Sequence, residues 1–309
     1  MTRDEFMRAL AALRQANIGG RRAPHKPLLV LWLLGRYVET GSTAVSYEEA
    51  EEPVSRLIND FGPAVTSPAR ARERAAMPFV HLERALWELR DARGDAIGPD
   101  APERGGLLRS QGAHGRLRPH VERLLAEPGT LITAVRLLLE QHFTPALEAP
   151  ICDAVGLNLI SGAGDAAPGP AERKKRRRRA GFAEEVLHAY AFACAFCGFD
   201  GALGRNPVGL EAAHVRWHSQ DGPDEVNNGL ALCALHHTLF DLGVLGLLPD
   251  LRIQVSELYV ARGPAGQAVD GLHGQPIARP RPGRPTVDPR FVLWHGRQVF
   301  KRPGTQTVG

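Results

Sequence analysis

The stretch from Cys194 to Asp241 decides the second half of the fold: Cys194-Ala-Phe-Cys197, then Glu211-Ala-Ala-His214, then Asn228, then Cys233-Ala-Leu-His236-His237-Thr-Leu-Phe-Asp241. The pairs C-x2-C and C-x2-H match a closed tetrahedral Zn²⁺ site, because each short pair sits on a turn that aims both side chains at one ion. Cys194, Cys197, Cys233 and His236 are therefore the expected ligands of a structural zinc. This leaves His237 without a structural task. If Leu235 to Leu242 is helical, Asp241 shares its face four residues on. An imidazole and a carboxylate projecting together suit a hard or borderline divalent ion, so one short segment is expected to serve both a closed metal site and an open one.

Around this stretch the composition sets bounds. A chain of 309 residues, 43% of them apolar, predicts two domains of ordinary globular character. Of four cysteines, three are taken by zinc, which leaves no disulfide framework and points to a reducing cytoplasm. The longest apolar run, Leu28 to Leu34, is too short to span a bilayer, and Met1-Thr-Arg-Asp-Glu opens a polar helix rather than a secretory signal. The net charge of +4 is unevenly spread: Arg173 to Arg179 is an unbroken run of seven basic residues, without which 31 basic residues face 34 acidic ones. Such a run attracts phosphate by counterion release without reading sequence; the alternative is a merely solvated linker. Only four Lys stand beside 34 Arg, with much Ala, Gly and Pro, as in a GC-rich bacterial genome, so abundant Arg alone says little about nucleic acid.

Local patterns divide the chain. Thr2-x2-Glu5 before Phe6, Leu10 and Leu13, and Ser46-x2-Glu49 before Val54, Leu57, Ile58 and Phe61, are capping boxes that open amphipathic helices. A third helix is predicted from about Leu131 to Phe143 behind Thr130. Residues 66–78 and 94–114, rich in Gly, Pro and Arg, read as surface loops or short strands with loops, of the kind that carry recognition. Residues 161–180 shift to small residues and Pro and then to the basic run, a flexible linker. Beyond it a helix over Glu184 to Phe192 leads into the zinc knuckle, and Val244 to Val255 reads as strand, turn and strand around Pro249-Asp250. The last 50 residues are rich in Pro and Arg, with Phe291 to His295 the one segment apolar enough to pack back. Cys152 reads as a core thiol and His218 as a solvated loop residue.

Leu210-Glu-Ala-Ala-His214, Pro223-Asp-Glu-Val-Asn-Asn228-Gly229-Leu230 and Leu232-Cys-Ala-Leu-His-His237-Thr-Leu-Phe-Asp241 resemble the three parts of the HNH, or ββα-metal, nuclease motif over about 60 residues. The resemblance implies that His214 deprotonates a water, that His237 helps hold one catalytic cation, Mn²⁺ or Mg²⁺, and that Asn228 fixes the connecting loop. Phosphodiester hydrolysis needs an activated water, neutralised charge at phosphorus and a stabilised leaving 3′ oxygen; a His of near-neutral pKa serves the first and a cation the other two. Many HNH enzymes place Asp or His directly before the first His, where this chain has Ala213. Glu211 therefore either closes the metal shell, directly or through water, or orients a ligand from behind; the second reading is preferred. Asp241 is read as a ligand of the catalytic ion, the alternative being a cap or turn before Gly243.

The first 160 residues resemble another family. Arg21-Arg-Ala-Pro-His25-Lys26-Pro27 and Ala76-Met-Pro78-Phe-Val-His81-Leu82, followed by Leu86-Trp87, are similar to the sulfur-binding domain of phosphorothioated-DNA-dependent, type IV restriction endonucleases, which also place that domain before an HNH domain. Sulfur in place of a non-bridging oxygen is larger, more polarizable and less hydrated, so an apolar-walled pocket beside cations discriminates for it. Pro78 offers a rigid ring without an N–H and Met77 a thioether, with His81 on the same segment; Arg22, His25 and Lys26 are candidates for flanking phosphates. Arg109, in a Gly-rich loop, is the candidate for reading a guanine edge. Met77 stands where the family often has an aromatic and His81 where it has a small residue.

The whole is an α+β chain: a mainly helical recognition domain (1–160), a flexible basic linker (161–180) and a zinc-stapled ββα-metal nuclease domain with a Pro/Arg-rich extension (181–309). The implied function is cleavage of phosphorothioate-modified duplex DNA in a bacterial cytoplasm, at the nucleoid when DNA-bound. A coil of about 20 residues reaches roughly 25 Å, so cuts are expected at a spread of positions near the mark. A paired double-strand cut needs two nuclease domains, which allows a homodimer on DNA. Two alternatives stand beside this: an HNH nuclease directed to another mark such as a methylated cytosine, and a non-catalytic zinc-stapled DNA-binding module. An aromatic content of 6% runs against a base-flipping pocket.

Overall fold

A computed structural model describes residues 1–303 except 19–20, 64, 66 and 158–180. The predicted linker and the basic run thus lie outside the described residues. Among those described, 1–157 and 181–303 form two compact units.

In the first unit the apolar run around Leu28 becomes a helix buried on nearly every side. Helices α1 (Arg3–Ala11), α2 (His25–Thr40) and α3 (Tyr47–Phe61) follow one another. The capping boxes of α1 and α3 form as the sequence reads, Thr2 with Glu5 and Ser46 with Glu49. Strands β1 (Asn17–Ile18) and β2 (Arg21–Arg22) pair as a short hairpin before α2. Pro24 sits at the N-cap of α2, and His25 to Leu31 are all buried.

The segments expected to be loops contain short helices: α4 (Pro68–Arg72), α5 (Ala76–His81) and α6 (Gly105–Ser110). Pro78 is therefore a helical residue, and Arg109 is on a helix rather than in a loop. For α5 the physical reason is burial: Phe79 lies edge-on to Tyr47 and to Trp87, each at 5.2 Å, and this apolar anchor outweighs the low helix propensity around it, whereas α4 has no buried residue and is opened by the Ser67 cap and Pro68 in its first turn. The Trp87 indole N–H also donates to the Phe79 carbonyl at 3.0 Å, which satisfies a backbone group at the end of the short helix. Strands β3 (Val45–Ser46), β4 (Trp87–Arg90) and β5 (His114–Leu117) form an antiparallel sheet in the order β3-β5-β4.

Helices α7 (Pro119–Leu125), α8 (Pro128–His142) and α9 (Pro145–Ala154) complete this unit. The third expected helix begins earlier than read, with Glu127 at its N-cap and Pro128 in its first turn; Thr130 lies inside, its hydroxyl donating to Glu127 at 2.9 Å.

The second unit opens with α10 (Phe182–Ala189), then a zinc-knuckle turn and the hairpin β6 (Ala202–Leu203) and β7 (Asn206–Pro207). Strands β8 (Leu210–His214) and β9 (Gly229–Cys233) pair antiparallel, with Leu210 opposite Cys233 and His214 opposite Gly229. Helix α11 (Ala234–Asp241) follows at once, so strand, loop, strand and helix make a ββα unit. Gly229 is required where α10 crosses this pair: an added Cβ would come within 2.4 Å of a Val186 methyl. Strands β10 (Leu245–Leu247) and β11 (Ile253–Val255) are the expected strand-turn-strand, and α12 (Pro264–Asp270) and α13 (Pro289–Gln298) lie in the extension. Phe291, Val292, Trp294 and His295 of α13 are buried, so the extension does pack back. His295 stacks on Phe240 with ring centroids 3.7 Å apart and donates from Nε2 to the Phe240 carbonyl. No helix among the described residues is long and apolar enough to cross a membrane.

Candidate nuclease site and sulfur-binding face

Cys194, Cys197, Cys233 and His236 converge, their ligand atoms all within 4.8 Å of one another. Cys194 Sγ and Cys233 Sγ lie 3.5 and 3.3 Å from His236 Nδ1. A tetrahedral Zn²⁺ with Cys and His ligands has edges of about 3.5–3.8 Å, and the donor set suits that ion. Burial pushes the Cys194 thiol up, but the hydrogen bonds from His236 and neighbouring backbone pull it down further, to about 6. Cys197 is pushed up to about 12, by burial first and then by the Cys194 charge. The thiols thus compete for negative charge, and a divalent cation is what lets all three ionise together.

His214 ends β8 and is largely buried. Its Nε2 lies 2.8 Å from Asp224 Oδ1, and its ring stacks on Phe182 with centroids 4.3 Å apart. Asn228 is fully buried and closes the loop between the strands: its Oδ1 accepts from Arg216 N–H at 2.8 Å, and its Nδ2 donates to the carbonyls of Arg216 and Pro223 at 3.0 and 2.9 Å. Those bonds fix the turn that carries Asp224. An open depression of about 520 Å³ lies beside it, lined by Pro223 to Asn227 and Pro285.

His237 lies between two carboxylates. Its Nδ1 is 2.5 Å from Glu211 Oε2, and its Nε2 is 3.3 Å from Asp241 Oδ2. Asp241 is buried; its Oδ1 accepts from the Trp217 indole N–H at 2.8 Å, which leaves Oδ2 to face the His237 ring. Burial pulls the His237 pKa down, but Asp241 and Glu211 outweigh it and raise it to about 9. His237 and Asp241 would hold a cation only with that imidazole deprotonated, so metal and proton would compete for the site. The 3.3 Å edge is close to the about 3 Å between neighbouring ligands of an octahedral ion with 2.1 Å bonds, and an imidazole beside a carboxylate fits a hard or borderline divalent cation. Among the described residues the only group of three or more such ligands gathered this closely is the Cys₃His cluster, so a second ion would have water or phosphate for its remaining ligands.

Sequence reading gave Asp224, Phe182 and Trp217 no role. Asp224 lay inside the quoted Pro223-Asp-Glu segment, ten residues from His214, and a Pro-Asp at a loop opening was its only signal. Phe182 and Trp217 carried none. His218, read as solvated, is half-buried with its Nε2 3.9 Å from Asp224.

In the first unit, Met77, Pro78 and His81 share one face of α5 by their spacing; Pro78 is buried and Met77 half-buried. His81 is paired with Glu103 at 2.8 Å. His25 and Lys26 open α2, largely buried: His25 Nε2 meets Arg74 at 3.1 Å, and Lys26 Nζ binds Glu83 at 2.7 Å, just beyond α5. Arg22 on β2 is exposed. Arg109 is ion-paired with Glu51, which also accepts from the Tyr47 hydroxyl at 3.2 Å. Lys26 brings the start of α2 to the end of α5, whereas Arg109 reaches the neighbourhood of α5 through Glu51, Tyr47 and Phe79.

The Cys₃His cluster and the ββα unit fit a zinc-stapled nuclease module of the HNH class, and the HNH endonuclease family model matches residues 194–247. The ScoMcrA-like DNA sulfur-binding domain family model matches residues 3–160, half of the chain, and the chain belongs to that family. It is thus a metal-dependent DNA endonuclease in which a DNA sulfur-binding domain precedes an HNH domain. Among solved structures it is similar to the sulfur-binding domain of SprMcrA complexed with phosphorothioated DNA, at 20% identity over 52% of this chain and 97% of that one, TM-score 0.42. The sulfur-binding domain of ScoMcrA, also complexed with phosphorothioated DNA, is 22% identical over 50% of this chain and 97% of its own, TM-score 0.41. The modification-dependent TagI restriction endonuclease is 24% identical over 38% of this chain and 37% of its own, TM-score 0.28. No curated protein matches the chain significantly.

Proposed function

We propose that this chain is a type IV restriction endonuclease whose first unit binds duplex DNA carrying a phosphorothioate and whose second hydrolyses phosphodiester bonds nearby. The observation that carries the reading is the union, in one chain, of a sulfur-binding domain with an HNH site that has His214 against Asp224 and His237 against Asp241. The Met77 and Pro78 face supplies the apolar contact that prefers sulfur to a hydrated oxygen, and His81 lies on that face. Exposed Arg22 holds a flanking phosphate, joined by His25 and by Lys26 once it is released from Glu83, and Arg109, released from Glu51, reads a base edge.

In the second unit, a carboxylate at Nε2 favours the His214 tautomer protonated there, which makes Nδ1 the basic nitrogen that takes a proton from the attacking water. Phe182 holds the ring plane. His237 and Asp241 hold the catalytic cation, with Glu211 aligning the His237 ring from its other nitrogen. When bound, that cation neutralises phosphate charge and stabilises the leaving 3′ oxygen. Two chains on one duplex provide the two sites a double-strand cut needs.

The test uses two duplexes of identical sequence, one with a phosphorothioate, in Mn²⁺ and in Mg²⁺. Cutting of the modified duplex alone is expected. Equal cutting discards the sulfur reading, and binding without cutting in any metal moves the protein to a non-catalytic module. Two variants refine it. Pro78→Gly weakens binding to the modified duplex roughly tenfold more than to the unmodified one, about 1.4 kcal/mol, whereas equal losses mark a general fold defect. Asp224→Asn lowers kcat about 10- to 100-fold with KM unchanged, part of the usual worth of a positioned base; an unchanged kcat removes Asp224 from the site.

A further inference from the structure

The Pro/Arg-rich extension contains Arg279-Pro-Arg281-Pro-Gly283-Arg284-Pro285, a stretch to which the nuclease motif assigns nothing. It is tied along the nuclease unit at successive points. Ala278 N–H donates to the Ala195 carbonyl inside the zinc knuckle at 2.8 Å, Arg281 N–H to Ala189 at the end of α10 at 2.7 Å, and Asp288 N–H to Asn227 at 2.9 Å. Pro285 lines the same depression as Asp224. The segment is thus a strap running from the zinc knuckle to the loop that holds the base.

Its middle is a tight turn. Arg284 N–H donates to the Arg281 carbonyl at 3.0 Å, with Pro282 and Gly283 at the corners and Gly283 at φ +81°, a position an L side chain would strain. The turn sets both guanidinium groups on one imidazole: Arg281 Nη1 is 3.2 Å from His188 Nε2 and Arg284 Nη2 is 3.5 Å from His188 Nδ1. A neutral imidazole has one lone pair, so only one of the two guanidinium groups finds an acceptor there. Both arginines and Arg279 are exposed, and among the described residues none of the three is ion-paired to a carboxylate. Donors gathered this way lack the acceptor that an oxyanion supplies.

The position is suited to DNA. His188 is six residues along α10 from Phe182, which stacks on His214, a separation of about 9 Å at 1.5 Å per residue. That places the pair within reach of a backbone phosphate close to the one being cut. We infer that Arg281 and Arg284, with Arg279 beside them, are a phosphate clamp that grips the DNA backbone next to the scissile position and gives the nuclease unit a DNA affinity of its own. The inference rests on the nuclease reading.

The test is Arg281→Gln/Arg284→Gln in the full chain, with an unmodified duplex for binding and the phosphorothioate duplex for cleavage. The log–log salt slope of binding is expected to fall by about 1.8, roughly 0.9 for each lost phosphate contact, and KM to rise roughly tenfold at 0.15 M salt. Hydrolysis of a small chromogenic phosphodiester, too short to reach His188, falls far less. Unchanged slope and KM overturn the clamp, as does an equal loss on the small substrate. The paired Arg281→Lys/Arg284→Lys variant keeps the charge and is expected to keep most of the slope; a loss as large as that of the Gln variant marks a structural role and overturns the clamp. A wild-type protein that cuts neither duplex sinks the nuclease reading, while the binding slopes of wild type and variant still decide whether the strap touches DNA.

Discussion

His214→Ala lowers cleavage of the phosphorothioate duplex about 10³-fold, within the usual worth of a positioned general base, and leaves affinity for that duplex unchanged. The reason lies in the division of labour: His214 ends β8, is largely buried and touches Asp224 and Phe182, whereas the sulfur-binding family match ends at residue 160. A parallel loss of binding would reject the base role. A double variant sharpens the result, since residues that act as a unit are strongly non-additive. If Asp224 acts only through His214, His214→Ala/Asp224→Asn is no slower than His214→Ala alone. An additional tenfold loss in the double variant would give Asp224 a contact of its own with the phosphate, the water or the cation.

The parts of this site that were legible in the sequence are those whose chemistry is local. C-x2-C and C-x2-H are turns a few residues long, and the structure brings those four ligands together. His237 and Asp241 are four residues apart on one short helix and meet as helix geometry requires. Capping boxes are equally local, and both form. Partners set by tertiary packing were not legible. Nothing in the spacing of Phe182, Trp217 and Trp294 says that one stacks on the base, that another holds Asp241, or that the third lies edge-on to Trp217 at 5.9 Å. The same limit explains the short helices in the first unit. Gly, Pro and Arg in residues 66–78 and 94–114 argue for loops, and the burial of Phe79 between Tyr47 and Trp87, which makes α5 helical, rests on partners outside both stretches. Lys26 reads from the sequence as a candidate for a flanking phosphate, but its largely buried ion pair with Glu83 joins elements 57 residues apart, a separation no local pattern encodes.

Cys233→Ser removes bound zinc from the purified protein and, with it, the cooperative unfolding of residues 181–303. Structural zinc contributes about 10–16 kcal/mol in small finger domains. A whole domain is stable by only about 5–15 kcal/mol, so a unit that loses its metal cannot hold. The cluster's position makes the dependence direct. Cys233 ends β9 and caps α11, the strand and helix that carry the site, and Ala195 inside the knuckle donates to Ala231 on β9 at 2.7 Å while accepting from Ala278. Phe196, in the same knuckle, lies edge-on to Phe240 at 5.8 Å, in the core beneath α11. Releasing the ion therefore loosens both ends of the ββα unit at once. Metal analysis is expected to fall from one zinc per chain to nearly none, cleavage to be lost, and binding to the phosphorothioate duplex to persist through residues 1–157. Cys152→Ser, in the apolar interior of the first unit, is the contrast and keeps its zinc. Unaltered zinc content in Cys233→Ser would refute the ligand set, and loss of duplex binding together with zinc would show that the first unit depends on the second for its fold.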